Sequence, residues 1–253
     1  MVSNRLTFDI QLAAKYKAES QRVRVMSEAW VSSNVLCPMC NKTFEQHRAN
    51  NVGSDFHCSK CGEEFELKAR KSKSKKVVDG AYDTMIAKLN SDKNPNLLLL
   101  NYKMNEVKDL ILIPKYFFTT DIIEKRNKLS IKARRAGWTG CNILINRIPD
   151  SGKIYYIRST IMENQSDISR QFQKTLFLRE DTELRGWNLD IMNCIDSIKS
   201  EEFDLGDIYK FENALFKRHP SNNYISDKIR QRLQYLRDKK YILFIGNGKY
   251  RKN

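Results

Sequence analysis

The chain has 253 residues, 41% of them hydrophobic, so it can bury a sizeable core, most naturally in two domains, and is too apolar to stay disordered. Its 45 Lys and Arg against 30 Asp and Glu give a formal charge of +15. This favours a polyanionic partner, nucleic acid before an anionic membrane surface, with a basic soluble protein lacking such a partner as the bland alternative. No apolar run reaches about 18 residues and MVSNRLTFDIQ has no signal-type apolar segment, so neither a membrane span nor a secretory leader is expected, and a cytoplasmic location is.

In chain order, residues 11–30 have helical spacing. Val23, Met26 and Trp30 fall on one face, and Lys17, Gln21, Arg24 and Glu28 on the other; a solvated face explains Glu28 and Gln21 better than a place in a functional site. A cysteine-bearing region, 37–61, comes next. FELKARK alternates like a strand and runs into the basic loop SKSKK. DGAYDTMIAKL reads as a helix opening at Asp79. NLLLLNYKM and VKDLILIP read as buried strands, TTDIIEKR as a short helix, NILINRI and KIYYIRS as two more strands, and SDISRQFQKTLF as a helix. Strands interleaved with helices predict an α/β or mixed three-layer core.

The pattern changes near Leu184–Trp187. One helical stretch carries Ile191, Cys194, Ile195 and Ile198. A second runs from near Asp204 to before Pro220 with Leu205, Ile208 and Phe211. A third starts near Asn223 with Ile225, Ile229, Leu233 and Leu236. YILFI, the turn GNG at 246–248 and KYRK then form a hairpin. Three helices and a basic hairpin are the element order of a small α+β winged-helix domain. The expected division is therefore 1–184 and 185–253.

Four of the six cysteines stand as Cys37-Pro-Met-Cys40 and, seventeen residues on, Cys58-Ser-Lys-Cys61. That spacing is specific for zinc, and four thiolates close its tetrahedral shell, so a structural rather than catalytic ion is expected. His47 or His57 could replace a thiolate, although nothing in the spacing requires it. Cys141 and Cys194 read as core residues.

Beside the second CxxC lies D-x10-E-x-K: Asp55, Glu66 and Lys68. Side chains two apart on a strand point the same way, so Glu66 and Lys68 share a face. Asp55 lies on a segment able to pair with that strand. The knuckle joining the two would set Asp55 opposite Glu66. Two close carboxylates call for a cation, Mg²⁺ keeps waters that can attack, and a lysine can orient such a water or offset charge on phosphate. That is the requirement of metal-assisted phosphodiester hydrolysis. On its own the E-x-K motif also occurs on solvated strand faces.

Two stretches read as nucleic-acid surfaces. With Ile229 central to the buried side of the third C-terminal helix, Tyr224, Asp227, Lys228, Gln231, Gln234 and Tyr235 face away, and Asn222 and Asn223 stand at its start. Asn and Gln amides match adenine in the major groove, and Lys249, Arg251 and Lys252 would meet phosphates. A helical packing module with a solvated face is the alternative. In KARRAGWTG, Arg134 and Arg135 precede Trp138, which either packs beneath a loop or stands out to stack on a base or wedge into a groove.

SQRVRVMSEAW at 20–30, CPMC, the DF-x-C-x-x-C-x-EEFELK block at 55–68 and DGAYDTM carry a resemblance that continues through NPNLLLL, ARRAGWTGCNI, LFLR, NCIDSI and IRQRLQYLRDKKYILFIGNGKYRK. In these long ordered stretches the chain resembles the DpnI family of methyl-directed restriction endonucleases. The resemblance implies a PD-(D/E)XK nuclease with a mixed sheet flanked by helices, an embedded four-cysteine zinc site and a C-terminal winged helix. It places catalytic roles on Asp55, Glu66 and Lys68, zinc on Cys37, Cys40, Cys58 and Cys61, and magnesium on Asp55, Glu66 and the Leu67 carbonyl. Ser54 stands where the motif name has proline. The implied substrate is duplex DNA with adenine-methylated GATC, read by both domains and cut to blunt ends; a monomer is expected, although the sequence does not fix the oligomeric state. A non-catalytic zinc-containing winged-helix regulator and a zinc-bearing RNA binder are the rival readings.

Overall fold

In the computed structural model, which describes residues 6–47, 53–91, 93–180 and 183–253, contacts divide the chain into two units. One is Met1–Asn146 with Gly152–Thr175, the other Arg147–Ser151 with Leu176–Asn253. The first unit opens with a 3-10 turn, Ile10–Ala13, capped by Asp9, and then α1 (Glu19–Asn34). The helix expected over 11–30 is thus interrupted and displaced. Lys15 and Lys17 lie where positive charge opposes a helix N-terminus, whereas Glu19 supplies the acidic first turn that favours one.

Two short strands, β1 (Glu45–Gln46) and β2 (Phe56–His57), lead into β3 (Glu64–Arg70). Next come β4 (Lys76–Ala81), α2 (Tyr82–Asn90), β5 (Asn96–Lys103), β6 (Glu106–Ile113), β7 (Ile123–Lys125), β8 (Gly140–Leu144), β9 (Ile154–Arg158), β10 (Ile161–Met162) and α3 (Gln165–Lys174). The main sheet has seven strands in the order β1-β2-β3-β5-β6-β9-β10. Only β3 and β5 run parallel. A second, antiparallel sheet has the order β4-β8-β7.

Leu97 to Leu100 and Leu110 to Ile113 are all buried. Strands covered on both faces lose the polar alternation, which is why LLLL and LILI read as continuous apolar runs. Asp79 does not open a helix: Val77 and Val78 extend into β4, which pairs with β8, and α2 starts three residues later. TTDIIEKR is a 3-10 turn, Thr120–Ile122, followed by β7, because Ile123 pairs with Ile143 on β8.

The second unit contains α4 (Arg185–Ser197), β11 (Glu202–Asp204), α5 (Leu205–Tyr209), α6 (Glu212–Arg218), α7 (Ile225–Asp238), β12 (Ile242–Gly246) and β13 (Lys249–Lys252). The single helix expected after Asp204 is two. Asp204 and Asp207 form a capping box for α5, and the bend after it lets buried Ile208 and Leu215 both reach α7. A strand missed in the sequence, β11, pairs with β13 and buries Phe203 against Tyr250. At the hairpin turn Gly246 and Gly248 take φ of 92° and 71°, the left-handed region where glycine is unstrained. Among the described residues no helix is long and apolar enough to cross a membrane.

Candidate active site

The four thiols converge as the spacing predicts. Cys37 and Cys61 Sγ lie 3.5 Å apart, Cys40 and Cys58 Sγ 3.3 Å, and all four fall within 4.8 Å of one another. A tetrahedral ion with bonds of about 2.3 Å separates its sulfurs by about 3.8 Å, so the donor set suits a structural zinc with no position left open. Each pair closes a turn of the same kind. Asn41 N–H donates to Cys37 O and Gly62 N–H to Cys58 O, and both donors are left-handed, at φ 59° and 72°. Burial pushes the Cys61 thiol up to about 11. At Cys58 burial pushes the same way, but hydrogen bonding from the Cys61 backbone and the Cys40 side chain outweighs it and brings the thiol down to about 7. His47 and His57 stand outside the cluster, stacked on each other with centroids 4.5 Å apart.

The second knuckle lies between β2 and β3, and their register places Phe56 against Phe65. Asp55 therefore continues the pairing toward Glu66: its N–H donates to Phe65 O at 2.9 Å, and its Oδ2 accepts the Leu67 N–H at 2.7 Å. Lys68 Nζ lies 2.6 Å from Glu66 Oε1 and 2.8 Å from Asp79 Oδ1. The structure thus brings Asp55, Glu66 and Lys68 together and adds Asp79, which the sequence reading had assigned to a helix start.

Two carboxylates, Glu66 and Asp79, hold the Lys68 ammonium. Burial raises the Glu66 carboxyl above its usual range; Lys68 opposes the shift, while Asp79 and Asp55 add to it. Burial would lower the Lys68 ammonium, but Glu66 and Asp79 outweigh it and hold Lys68 well above its ordinary value. The carboxylate oxygens of Asp55 and Glu66 are donors of the kind a hard divalent cation takes.

Asp55, Glu66, Leu67 and Lys68 line a cleft of about 550 Å³ together with Glu28 and Lys71. Glu28 is buried, which corrects its assignment to a solvated helix face, while Gln21 is exposed. Glu28 accepts from Arg24 Nε at 2.6 Å and from Gln46 Nε2 at 2.6 Å, contacts a helical pattern cannot reveal. Glu66 and Lys68 also border a second cavity of about 230 Å³, lined by Asp79, Thr84, Met85 and Phe118.

Trp138 is half-buried. Its ring sits against Gly140, under the Arg135 guanidinium at 4.8 Å, within a loop closed by Leu129 N–H to Trp138 O. Arg134 and Arg135 are exposed. In the second unit Asn223, Tyr224 and Gln231 are exposed, and Lys228 bonds Gln231 Oε1 at 2.9 Å. Asn222 Oδ1 accepts the Tyr224 N–H at 2.8 Å. Lys249 and Arg251 are exposed on β13, in register with Asp204 and Glu202 of β11.

Residues 4–181 match the family model described as DpnI, Dam-replacing family. Residues 183–252 match that of the Dam-replacing HTH domain.

Proposed function

The chain belongs to the DpnI (Dam-replacing) family, and from that premise we propose that it is a Mg²⁺-dependent endonuclease hydrolysing duplex DNA at adenine-methylated GATC. Methyl-directed restriction fits the family, and its HTH domain fits DNA binding. The observation that carries the reading is the convergence of Asp55, Glu66 and Lys68 on one cleft, the acid–acid–lysine set of a PD-(D/E)XK nuclease.

Asp55 and Glu66, with the Leu67 carbonyl, would hold the magnesium ion. When bound, the ion supplies Lewis-acid polarisation of the phosphate and a more acidic water. Asp55 is pre-oriented for this by the Leu67 N–H. Lys68, held by its two carboxylate neighbours, serves as a positive charge that orients the attacking water and offsets charge on the phosphate. The thiolate cluster ties β2 to β3 and so sets Asp55 against Glu66. Arg134, Arg135 and Trp138 would contact DNA from the nuclease domain, 1–184. Asn222, Asn223, Tyr224, Lys228, Gln231, Lys249 and Arg251 would do so from the winged helix, 185–253.

Reading by both domains has a physical purpose. One methyl in an apolar pocket is worth about 1–3 kcal/mol, or about 10–200-fold, which is thin protection for unmodified DNA. Two independent checks multiply those factors.

Digestion of one plasmid, with and without adenine methylation, in Mg²⁺ and in EDTA, tests the proposal. Cutting is expected only for methylated DNA in Mg²⁺. Lys68→Ala should abolish cutting and leave selective binding in place. Tight binding with no nicking under any condition would instead favour a non-catalytic zinc-containing winged-helix regulator.

A further inference from the structure

We propose that Asp79 is a positioning residue for cleavage, anchoring the Lys68 ammonium and so fixing where that charge meets the cleft. The inference rests on the nuclease reading above, since it assigns Asp79 a part in the same site.

A lysine head on a flexible four-carbon stem is a poor point of reference unless something holds it. Lys68 is held twice, by Glu66 at 2.6 Å and by Asp79 at 2.8 Å. Glu66 borders the cleft that also contains Asp55, where a bound cation would draw on its oxygens. Asp79 does not border that cleft. It lines the second cavity, which Glu66 and Lys68 also border. Its contact at the site is with Lys68, and its charge also bears on Glu66. When Glu66 turns its charge to a metal, Asp79 is the carboxylate that keeps Lys68 in place.

The local backbone supports this assignment. In β4, Val77 is buried and Val78 is 58% exposed, so Asp79 falls on the inward face, with its side chain 7% exposed. An unpaired carboxylate there would be strongly unfavourable, and Lys68 supplies the pairing. The β4–β8 register shifts between Asp79, opposite Cys141, and Ala81, opposite Gly140. The irregularity at Gly80 re-aims the strand, as bulges beside functional sites do. Asp79 thus comes from a different sheet than Glu66 and Lys68, and reaches them across the boundary between the two.

The test uses the full-length chain with Asp79→Asn, which keeps the shape and removes the charge, and Asp79→Glu, which keeps the charge. On methylated plasmid in Mg²⁺, Asp79→Asn should lower kcat by about 10²-fold, the scale expected when a reacting group is misplaced by an ångström. KM, zinc content and affinity for the same duplex in EDTA should stay at wild-type values, and Asp79→Glu should recover part of kcat. Reductive methylation of the zinc-loaded, Mg²⁺-free protein, read by mass spectrometry, should modify Lys68 faster in Asp79→Asn than in wild type. A wild-type kcat in Asp79→Asn, or a parallel fall of kcat, affinity and Tm, would overturn the proposal. Wild-type protein that never nicks sinks the nuclease reading and takes the catalytic use of Lys68 with it. The labelling then still decides the anchoring, and equal Lys68 rates would overturn that too.

Discussion

The Leu67 N–H donates to the Asp55 carboxylate at 2.7 Å, joining the residue before β2 to the middle of β3. Between these two points the chain makes the Cys58–Cys61 turn, so the bond closes a loop whose far end is the thiolate cluster. The pairing of β2 with β3 is only two residues long, Phe56 with Phe65 and His57 with Glu64. A ladder that short does not fix a carboxylate unaided.

Zinc loss should therefore disable the site while sparing the second unit. Structural zinc contributes about 10–16 kcal/mol in zinc-finger peptides near neutral pH, far more than such a ladder holds. Releasing the metal with a thiol-displacing reagent, or introducing Cys58→Ala, should lower Tm and abolish nicking together. Far-UV and NMR signals of α4 to β13 should persist. Full nicking by zinc-free protein would show that the cluster does not position Asp55.

Glu66 gives a prediction in pH. Burial raises its folded pKa above the usual value, so its contribution to stability is fully present below the unfolded pKa and is lost as pH rises through the folded one. At neutral pH the ionised group is therefore a net cost to the metal-free fold. Glu66→Gln should have a higher Tm than wild type at pH 7 in EDTA, with the gap closing in acid, and no nicking. A lower Tm for Glu66→Gln at pH 7 would mean that its pairing with Lys68 outweighs its desolvation.

Gly140 controls Trp138. A Cβ added there would come within 2.8 Å of the Trp138 ring, inside any real contact, so the indole must move. Gly140→Ala should cost about 1–3 kcal/mol, the usual range for overpacking. Through the displaced indole, it should also weaken methylated-duplex binding nearly as much as Trp138→Ala does. If Gly140→Ala lowers Tm but binds DNA normally while Trp138→Ala behaves alike, the ring is loop packing and no DNA contact.

Glu66 and Lys68 were legible as a pair because a strand repeats every two residues, and Asp55 because the CxxC spacing implies a turn between two segments. Asp79 was not, because DGAYDTM carries a strong helix-start signal and the pairing that overrides it, Asp79 with Cys141, spans some sixty residues. Glu28 failed for a similar reason. Helical periodicity placed it beside Arg24 and Gln21, but a contact from Gln46 on β1 buries it. The winged-helix order was legible from helical spacing and the GNG turn. The strand β11 was hidden because three residues, Glu202 to Asp204, are too few for alternation to register.

The C-terminal unit separates affinity from readout in a way that binding assays can resolve. Lys249 and Arg251 are exposed on β13, in register with Asp204 and Glu202 of β11, and are open to phosphate. Replacing either with alanine should reduce the slope of log K against log salt by about 1 and weaken all duplexes alike. Glu202→Gln should raise affinity without changing preference. At the start of α7 the two asparagines differ. Asn222 spends its side-chain oxygen on the Tyr224 N–H, an Asx turn that sets the helix entry, whereas Asn223 is exposed. Asn223→Ala should relax sequence preference and leave the salt slope unchanged, as expected of a group that reads an adenine edge. Asn222→Ala should lower Tm by loosening the turn, with preference lost only as the helix start frays. If Asn223→Ala instead shifts the salt slope and keeps the preference, Asn223 is a backbone contact and base reading belongs further along the exposed face, at Lys228 and Gln231.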